Sequence, residues 1–283
     1  MDIEIIEMAE RKARFVLKNT SPAMANALRR TLLSDIPKMA IDRVEFHLGS
    51  IMHEDKEYES VTPLFDEIIA HRLGMVPVPT DLELFVPQSE CTCGGDGCPS
   101  CTIMYSLNKI GPCTVLSGDL MPLGNPDLKV KDEFIPIVEL TDGQAVLIYA
   151  FAVMGTARKH VKWQVANGVG YKYMPIIEID PKKASDPALV KIAEEYPNAF
   201  EVKGGKVSVK SNLECGISKG CVEKLSDLVD RHVTDGVTVN WDNKNFIFQF
   251  ETDGSLTAQQ ALEKAQAILV AEIQEFKDQI KNL

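Results

Sequence analysis

The sequence predicts an α+β fold built from two or three domains. A chain of 283 residues, 45% of them apolar, is long enough to bury a sizeable core and to divide into domains. Short runs of alternating apolar and polar residues recur along much of the chain, which is typical of strands. Two longer stretches, 22–36 and 257–283, carry apolar residues at helical spacing instead.

The N-terminal residues are predicted to form a hairpin and then a helix. The alternating stretches 2–8 and 11–18 predict the two strands of the hairpin. Ser21 is a good helix cap, Pro22 suits the first helical position, and Pro37 ends the helix. The apolar stripe of this helix consists of Met24, Ala27, Leu28, Thr31 and Leu32.

The middle of the chain is predicted to be β-rich with one short helix. Thr62 caps this helix, Pro63 starts it and Gly74 ends it. Its buried face is expected to consist of Phe65, Ile68, Ile69 and Leu73. Strands are expected at about 103–108, 133–138, 144–153 and 157–165.

The pattern changes near residue 170 and predicts a small inserted α+β domain. A strand at 176–179 precedes a helix that Asp186 and Pro187 open. Gly204 and Gly205 then predict a tight hairpin turn. A second helix is expected from about 217 to 231.

The chain is predicted to end in a strand and a helix about 40 Å long, at about 1.5 Å per residue. Phe246, Phe248 and Phe250 alternate in the strand, and Thr257 with Gln260 forms a capping box. The apolar side of the helix consists of Leu262, Ala265, Leu269, Ile273, Phe276, Ile280 and Leu283. Because a chain end usually frays, an apolar stripe that persists to it indicates that another surface packs against the stripe. That surface is either the chain's own sheet or a partner.

Composition excludes some functions and predicts a compartment. The net charge is −11, so the surface has no general attraction for DNA phosphates. The N-terminus lacks the pattern of a signal peptide, and the longest uncharged apolar run, 145–155, is too short to span a bilayer. We therefore expect a cytoplasmic protein whose seven cysteines are ligands or free thiols rather than disulfides.

A run of four cysteines is the strongest chemical motif in the sequence. It consists of Cys91, Cys93, Cys98 and Cys101. Four thiolates within eleven residues can converge on one tetrahedral ion, and glycines between them allow a tight loop. Zinc suits such a closed site, so one structural zinc ion is predicted. Free thiols or an adventitious site are the alternatives.

Three sequence blocks resemble the alpha-like family of DNA-directed RNA polymerase subunits, in its archaeal branch. They are Asn26–Leu33, Glu67–Pro77 and Gly155–Trp163. In that family the two ends of the chain fold together, which implies a dimerisation domain from 1–45 plus 233–283. Residues 46–167 would be an inserted β-rich domain with the cysteine loop. Residues 168–232 would be a further inserted ferredoxin-like α+β domain.

The resemblance also implies partners. The small alpha-like polymerase subunit would form a heterodimer through Met24, Ala27, Leu28, Thr31, Leu32, Leu262, Leu269, Ile273, Phe276 and Ile280. The second-largest subunit would dock on Arg29, Arg30, Arg158, His160 and Lys162, the last three on one strand face. A solvated cationic helix end and a charged edge strand are the structural alternatives. His71 and His160 have no ligand partner nearby in the sequence and are assigned to no metal and no base.

The inserted domain departs from its archaeal relatives, many of which hold iron–sulfur clusters there. A cubane cluster generally needs four cysteines, and only Cys215 and Cys221 remain, with Ser218 between them. We expect no iron–sulfur cluster, and we interpret the two cysteines as remnants. Cys221 and Cys113 are expected to be small apolar core residues.

The implied function is a non-catalytic scaffold of RNA polymerase. No nucleotide-binding loop, hydrolase elbow, zinc-protease motif or magnesium-binding aspartate triplet is visible. The nucleotidyltransferase activity, and any contact with DNA or other small subunits, would therefore belong to the assembled complex. A ferredoxin-like redox protein and a zinc-dependent nucleic-acid-binding module are the alternatives. The few cysteines and the negative charge oppose them.

Overall fold

The computed structural model describes residues 2–282 and confirms the α+β class. The helices of this part of the chain are α1 (Pro22–Ser34), α2 (Asp66–Gly74), α3 (Pro187–Glu195), α4 (Asn212–Ile217), α5 (Cys221–Asp230) and α6 (Ala258–Lys281). The strands are β1 (Asp2–Met8), β2 (Lys12–Lys18), β3 (Lys38–Phe46), β4 (Ser50–His53), β5 (Lys56–Glu59), β6 (Thr102–Ile110), β7 (Cys113–Leu116), β8 (Met121–Pro122), β9 (Pro136–Leu140), β10 (Ala145–Gly155), β11 (Ala166–Ile179), β12 (Phe200–Lys203), β13 (Lys206–Val209) and β14 (Val237–Thr252).

The chain divides into two compact units. Within the described residues, the first unit comprises 2–8, 13–29 and 169–250. The second comprises 9–12, 30–168 and 251–282. Each unit therefore combines segments that are distant in sequence, and each has a core of its own.

The first unit contains a four-stranded sheet in the order β1-β2-β14-β11. The predicted N-terminal hairpin is confirmed, because β1 and β2 pair in antiparallel register with Ile5 opposite Phe15. The Phe15 ring stacks on Phe248 with 5.1 Å between centroids. Phe246, Phe248 and Phe250 are all buried, as their alternation predicts. Aromatic packing across neighbouring strands therefore fixes the register of this sheet.

The same unit holds a smaller α+β core built from the end of β11, the β12–β13 hairpin and α3 to α5. Gly204 and Gly205 make the predicted hairpin turn with left-handed φ angles of 56° and 74°. The single helix expected at 217–231 is wrong at its start. The structure has α4 ending at Ile217 and α5 beginning at Cys221. Gly220 at φ 79° reverses the backbone between them, a conformation that glycine adopts at no steric cost.

The core of the second unit lies around a four-stranded sheet in the order β3-β10-β6-β8. The β7–β9 ribbon and helix α2 contribute further buried residues. Ile69 and Leu73 of α2 are fully buried, whereas Phe65 is 78% exposed and Ile68 is 41% exposed. The predicted helix start at Pro63 is wrong, because Phe65 has an extended backbone and the helix begins at Asp66.

The strand expected at 157–165 is also wrong. After β10 the chain turns, and Val161–Trp163 forms a short 3₁₀ helix. The indole Nε1 of Trp163 donates to the carbonyl of Val153 at 3.0 Å, and its ring lies directly over Gly155. A side chain at Gly155 would collide with that ring, so glycine is needed for the reversal. The alternation at 157–165 therefore belongs to a turn that folds back on its own strand.

A buried ion pair joins three segments of the second unit. The Lys38 ammonium bonds the Asp253 carboxylate, and their side chains are only 4% and 13% exposed. Lys38 Nζ also donates to the carbonyl of Gln164 at 3.4 Å, and Asp253 accepts from the backbone N–H of Ser255 at 3.0 Å. This pair connects the start of β3 with both the turn after β10 and the loop before α6.

Candidate functional site

The four cysteines of the Cys91–Cys101 loop converge on one point. Their sulfur atoms all lie within 4.8 Å of one another. The Sγ atoms of Cys91 and Cys98 are 3.4 Å apart, and those of Cys93 and Cys101 are 3.7 Å apart. A tetrahedral zinc ion with Zn–S bonds of about 2.3 Å needs sulfurs about 3.8 Å apart. The donor set and its spacing are therefore compatible with zinc.

The local backbone explains why these thiols meet. The loop begins where the Cys91 N–H donates to the carbonyl of Gln88 at 3.3 Å. It closes where the Val86 N–H donates to the carbonyl of Ser100 at 3.0 Å. Between these two bonds, Gly94, Gly95 and Gly97 adopt left-handed φ angles of 69°, 95° and 91°. Such angles favour glycine, which is why three glycines stand between the cysteine pairs.

The loop already stabilises negative charge on one sulfur. Several hydrogen bonds to Cys93 lower its pKa to about 5, and the bond from the backbone N–H of Cys98 has the largest effect. For Cys91, a bond from the Cys93 backbone N–H lowers the pKa. The surrounding thiols of Cys93, Cys98 and Cys101 outweigh it and raise the pKa of Cys91 to about 12. A divalent cation would displace the remaining thiol protons on binding, because zinc binds the thiolate form of cysteine.

The C-terminal half of α6 is exposed on all sides. Ala258, Ala261 and Ala265 in its first turns are fully buried, but every residue from 270 to 282 is exposed. The exposed fractions are 60% for Val270, 45% for Ile273, 64% for Phe276 and 52% for Ile280. Leu262 and Leu269 are half-buried, and Leu283 lies outside the described residues. Three of the six described residues of the predicted apolar stripe, Ile273, Phe276 and Ile280, therefore face solvent in the single chain.

Helix α1 is different, because most of its stripe is used within the chain. Leu28, Thr31 and Leu32 are 5%, 3% and 1% exposed. Met24 and Ala27 are half-buried. The side chains of Leu28, Thr31 and Leu32 are therefore covered within the single chain, and their place on a partner surface stays a prediction.

Two of the arginines predicted to dock a large subunit are already engaged. Arg158 forms an ion pair with Asp35 and lies 3.9 Å from Glu272 of α6. Burial raises the pKa of Asp35, but hydrogen bonds from Arg158 and Ser34 outweigh it and hold the pKa below its ordinary value. Arg29 donates to the Asn26 side chain at 2.9 Å, whereas Arg30 is exposed. Arg30 therefore presents the freer charge on α1.

His160 and Lys162 do not share a strand face as predicted. They line a cavity of about 200 Å³ together with His71 and Met75. Lys162 Nζ bonds the Asp42 carboxylate at 2.5 Å and lies 4.4 Å from the centre of the Trp163 ring. His160 Nδ1 accepts from the backbone N–H of Lys162 at 3.1 Å, which caps the 3₁₀ helix. Sequence reasoning did not bring His71 and His160 together, because they lie far apart along the chain.

Comparison with known proteins decides which family this architecture represents. The sequence profile of the RNA polymerase Rpb3/Rpb11 dimerisation domain matches residues 14–273. The chain belongs to this family of RNA polymerase subunits. The predicted resemblance and the expected class of function, an RNA polymerase assembly subunit, are thereby confirmed, and neither alternative function gains support.

Several archaeal members of the family are similar over nearly their whole length. DNA-directed RNA polymerase subunit Rpo3 of Thermoplasma volcanium is 45% identical over 266 residues, which is 94% of each chain. The subunit of the same name from Picrophilus torridus is 41% identical, over 99% of this chain and 97% of its own. That of Pyrococcus furiosus is 32% identical, over 100% and 98%. Within residues 2–282, none of the helices combines the length and the hydrophobicity that a membrane span requires.

Changing one ligand of the cysteine loop gives the first prediction. Cys93→Ser is expected to reduce zinc content from about one ion per chain to near none, because a three-thiolate site no longer closes the tetrahedron. Protons compete with zinc for thiolates, so the apparent zinc affinity of the unchanged chain should rise from pH 6 to pH 8. Elemental analysis measures the zinc content, and competition with a chelating dye measures the zinc affinity. Cys113→Ser, a free cysteine outside the cluster, should change neither.

The two cysteines of the smaller α+β core in the first unit form a disulfide, which corrects the expectation of ligands or free thiols. Cys215 and Cys221 are bonded, with 5.4 Å between their Cα atoms, and both are fully buried. The predicted place of Cys221 in an apolar core is right, but the predicted chemical state of both cysteines is wrong. The sequence showed only that the two cysteines are 6 residues apart, with Gly220 between them. Cys113 is half-buried, and its S–H donates to the carbonyl of Ile110 at 3.3 Å.

Reduction of this disulfide gives a second prediction. Cross-linking residues 6 apart restricts the unfolded chain, which should contribute about 2 kcal/mol to the local free energy of unfolding. A strong reductant should therefore speed hydrogen exchange in α4 and α5 of the full chain by more than tenfold. Exchange in β6 and β10, which lie in the other unit, serves as the internal control. Equal exchange in α4 and α5 before and after reduction would contradict the prediction.

Proposed function

We propose that this chain is the non-catalytic assembly subunit of an archaeal DNA-directed RNA polymerase. It forms a heterodimer with the small alpha-like subunit and docks the second-largest subunit. The observation that carries the proposal is the uncovered apolar stripe of α6, in a chain whose family is defined by a dimerisation domain. The polymerisation chemistry belongs to other chains, and DNA is met only through the assembled complex.

The marginal stability expected of the exposed end of α6 supports the presence of a partner. Helix formation is marginal for an isolated segment of fewer than about 12–15 residues in water, and it gains stability chiefly from packing of an apolar face. The exposed part of α6, residues 270–282, is of that length and carries Ile273, Phe276 and Ile280 along one side. A partner that covers this side would stabilise the helix and bury three large apolar side chains. Met24 and Ala27 of α1 are the candidates for a smaller contribution.

The proposed organisation has three parts. Residues 1–45 with 233–283 form the dimerisation domain, 46–167 the inserted β-rich domain and 168–232 the further inserted domain. The second-largest subunit would meet Arg29, Arg30 and the Arg158–Lys162 loop. In that loop the ion pairs of Arg158 and Lys162 hold the basic side chains in place. The other small subunits of the polymerase are further partners. As part of a transcription complex, the protein would be cytoplasmic.

We further propose one structural zinc ion at the cysteine loop. Cys91, Cys93, Cys98 and Cys101 would hold it, and the ion would supply a crosslink to a loop that has little apolar material of its own. The backbone N–H groups of Cys98, Gly95 and Gly97 donate to Cys93 and favour its thiolate, which is the form that binds zinc. No residue of the loop is assigned a catalytic role.

Reconstitution of the polymerase from purified subunits tests the proposed function. Omission of this chain should prevent the two largest subunits from entering a stable complex with the small subunits, and should abolish promoter-independent RNA synthesis. Addition of the chain should restore both. Full assembly and full activity without the chain would refute the scaffold role.

A further inference from the structure

The β4–β5 hairpin is weakly supported by the rest of the chain. Its two strands pair only with each other, with Met52 opposite Glu57. An isolated bridge from Glu59 to Gln144 ties its end to the second unit. A two-stranded ribbon alone is marginally stable in water, because it buries little apolar area. This hairpin would therefore gain stability from a further protein surface.

The turn of the hairpin is built from charged residues where glycine would fold more easily. Glu54 and Asp55 adopt left-handed φ angles of 47° and 61°. The β12–β13 hairpin of the same chain uses Gly204 and Gly205 at the equivalent positions. The left-handed conformation is unfavourable for a residue such as Glu54, whereas aspartate tolerates it better. The hairpin thus presents two carboxylates at its tip despite the conformational cost.

The outer face of the hairpin combines carboxylates with exposed apolar side chains. Since side chains alternate along a strand, Met52, Glu57 and Glu59 lie on one face. Met52 is 66% exposed, and Val61, just beyond the hairpin, is 54% exposed. Among the described residues, Glu57 and Glu59 form no ion pair or side-chain hydrogen bond. A cavity of about 460 Å³ opens at the base of the face, and its lining consists of Gly49, Ser50, Glu57, Glu59, Ser60 and Val61.

We propose that this face, defined by Met52, Glu57, Glu59 and Val61, docks a basic and apolar segment of another polymerase subunit. The inference rests on the proposed function and adds a second interface to it. Lysine or arginine side chains of the partner enter the cavity and pair with Glu57 and Glu59, and apolar side chains of the partner pack on the exposed Met52 and Val61. A second copy of this chain is disfavoured, since two such faces would repel each other. Nucleic acid is disfavoured for the same reason.

Hydrogen exchange on the reconstituted polymerase tests the inference with the unchanged protein. The amides of residues 50–59 should exchange at least about tenfold more slowly in the assembled enzyme than in the heterodimer with the small alpha-like subunit alone. Equal exchange in the two states would overturn the inference. If the heterodimer does not form at all, the proposed function fails instead, so the two failures are distinguishable.

Charge reversal provides the second arm. Glu57→Lys with Glu59→Lys should weaken assembly of the heterodimer with the remaining subunits by at least about tenfold. The heterodimer itself should form normally. Glu178→Lys with Glu194→Lys makes the same charge change at exposed positions of the other unit and should leave assembly unchanged. Equal assembly of both variants and the unchanged chain would also overturn the inference.

Discussion

Replacement of Ile273 and Phe276 by aspartate is expected to abolish pairing with the small alpha-like subunit. Burial of one large apolar side chain contributes about 1.5–3 kcal/mol, so loss of two should weaken binding by at least about 100-fold. The change also places two charges on the proposed interface, which adds a desolvation cost. Isothermal titration of the two purified subunits measures the affinity. The free chain should fold normally, because both side chains are largely exposed in it.

A matched pair of substitutions, one on the opposite side of α6 and one at the residue that caps its C-terminal end, controls for charge. Ala271→Asp with Asn282→Asp introduces the same two charges at exposed positions about half a turn away from the apolar stripe. This variant should bind within about threefold of the unchanged chain, because surface charges away from a contact have small effects. Equal loss of binding in both variants would indicate a general charge effect. Unaltered binding in both would place the interface elsewhere.

Asp253→Asn is expected to lower the free energy of unfolding by about 3–5 kcal/mol. The substitution leaves the buried Lys38 ammonium without its counter-charge, and removal of one partner from a buried pair carries a penalty of that size. Chemical denaturation of the full chain measures the effect through the transition of the second unit. Glu133→Gln breaks the exposed pair with Lys129, whose side chains are 42% and 44% exposed, and should cost less than about 1 kcal/mol.

A double substitution separates charge from packing at this position. Lys38→Met with Asp253→Leu removes both charges and keeps apolar volume, so it should recover much of the stability that Asp253→Asn loses. If Asp253→Asn alone were as stable as the unchanged chain, the result would show that water reaches the Lys38 ammonium. In that case the pair would not hold β3 to the loop before α6.

Local sequence signals predicted those elements that local interactions determine. The capping box of α6 is present as expected, with the Gln260 N–H donating to Thr257 Oγ1 at 3.2 Å. The turn at Gly204 and the alternation through Phe246 also required only near neighbours. The four-cysteine loop was visible because all its ligands lie within eleven residues.

The wrong predictions share a tertiary cause. Residues 157–165 alternate like a strand, but Trp163 packs back on Gly155 and imposes a turn that alternation cannot report. Phe65 has the spacing of a core residue, yet the helix begins after it. The Cys215–Cys221 bond needs two short helices to bring the sulfurs together. The cavity shared by His71 and His160 likewise exists only after residues distant in sequence have packed.

Native mass spectrometry of the chain co-expressed with the small alpha-like subunit tests the central claim most directly. The account predicts a one-to-one heterodimer whose mass includes one zinc ion, held by this chain through Cys91, Cys93, Cys98 and Cys101. A variant with Ile273 and Phe276 replaced by aspartate should appear as a zinc-bound monomer. A metal-free monomer of the unchanged chain, in the presence of excess partner, would contradict both the scaffold role and the metal site.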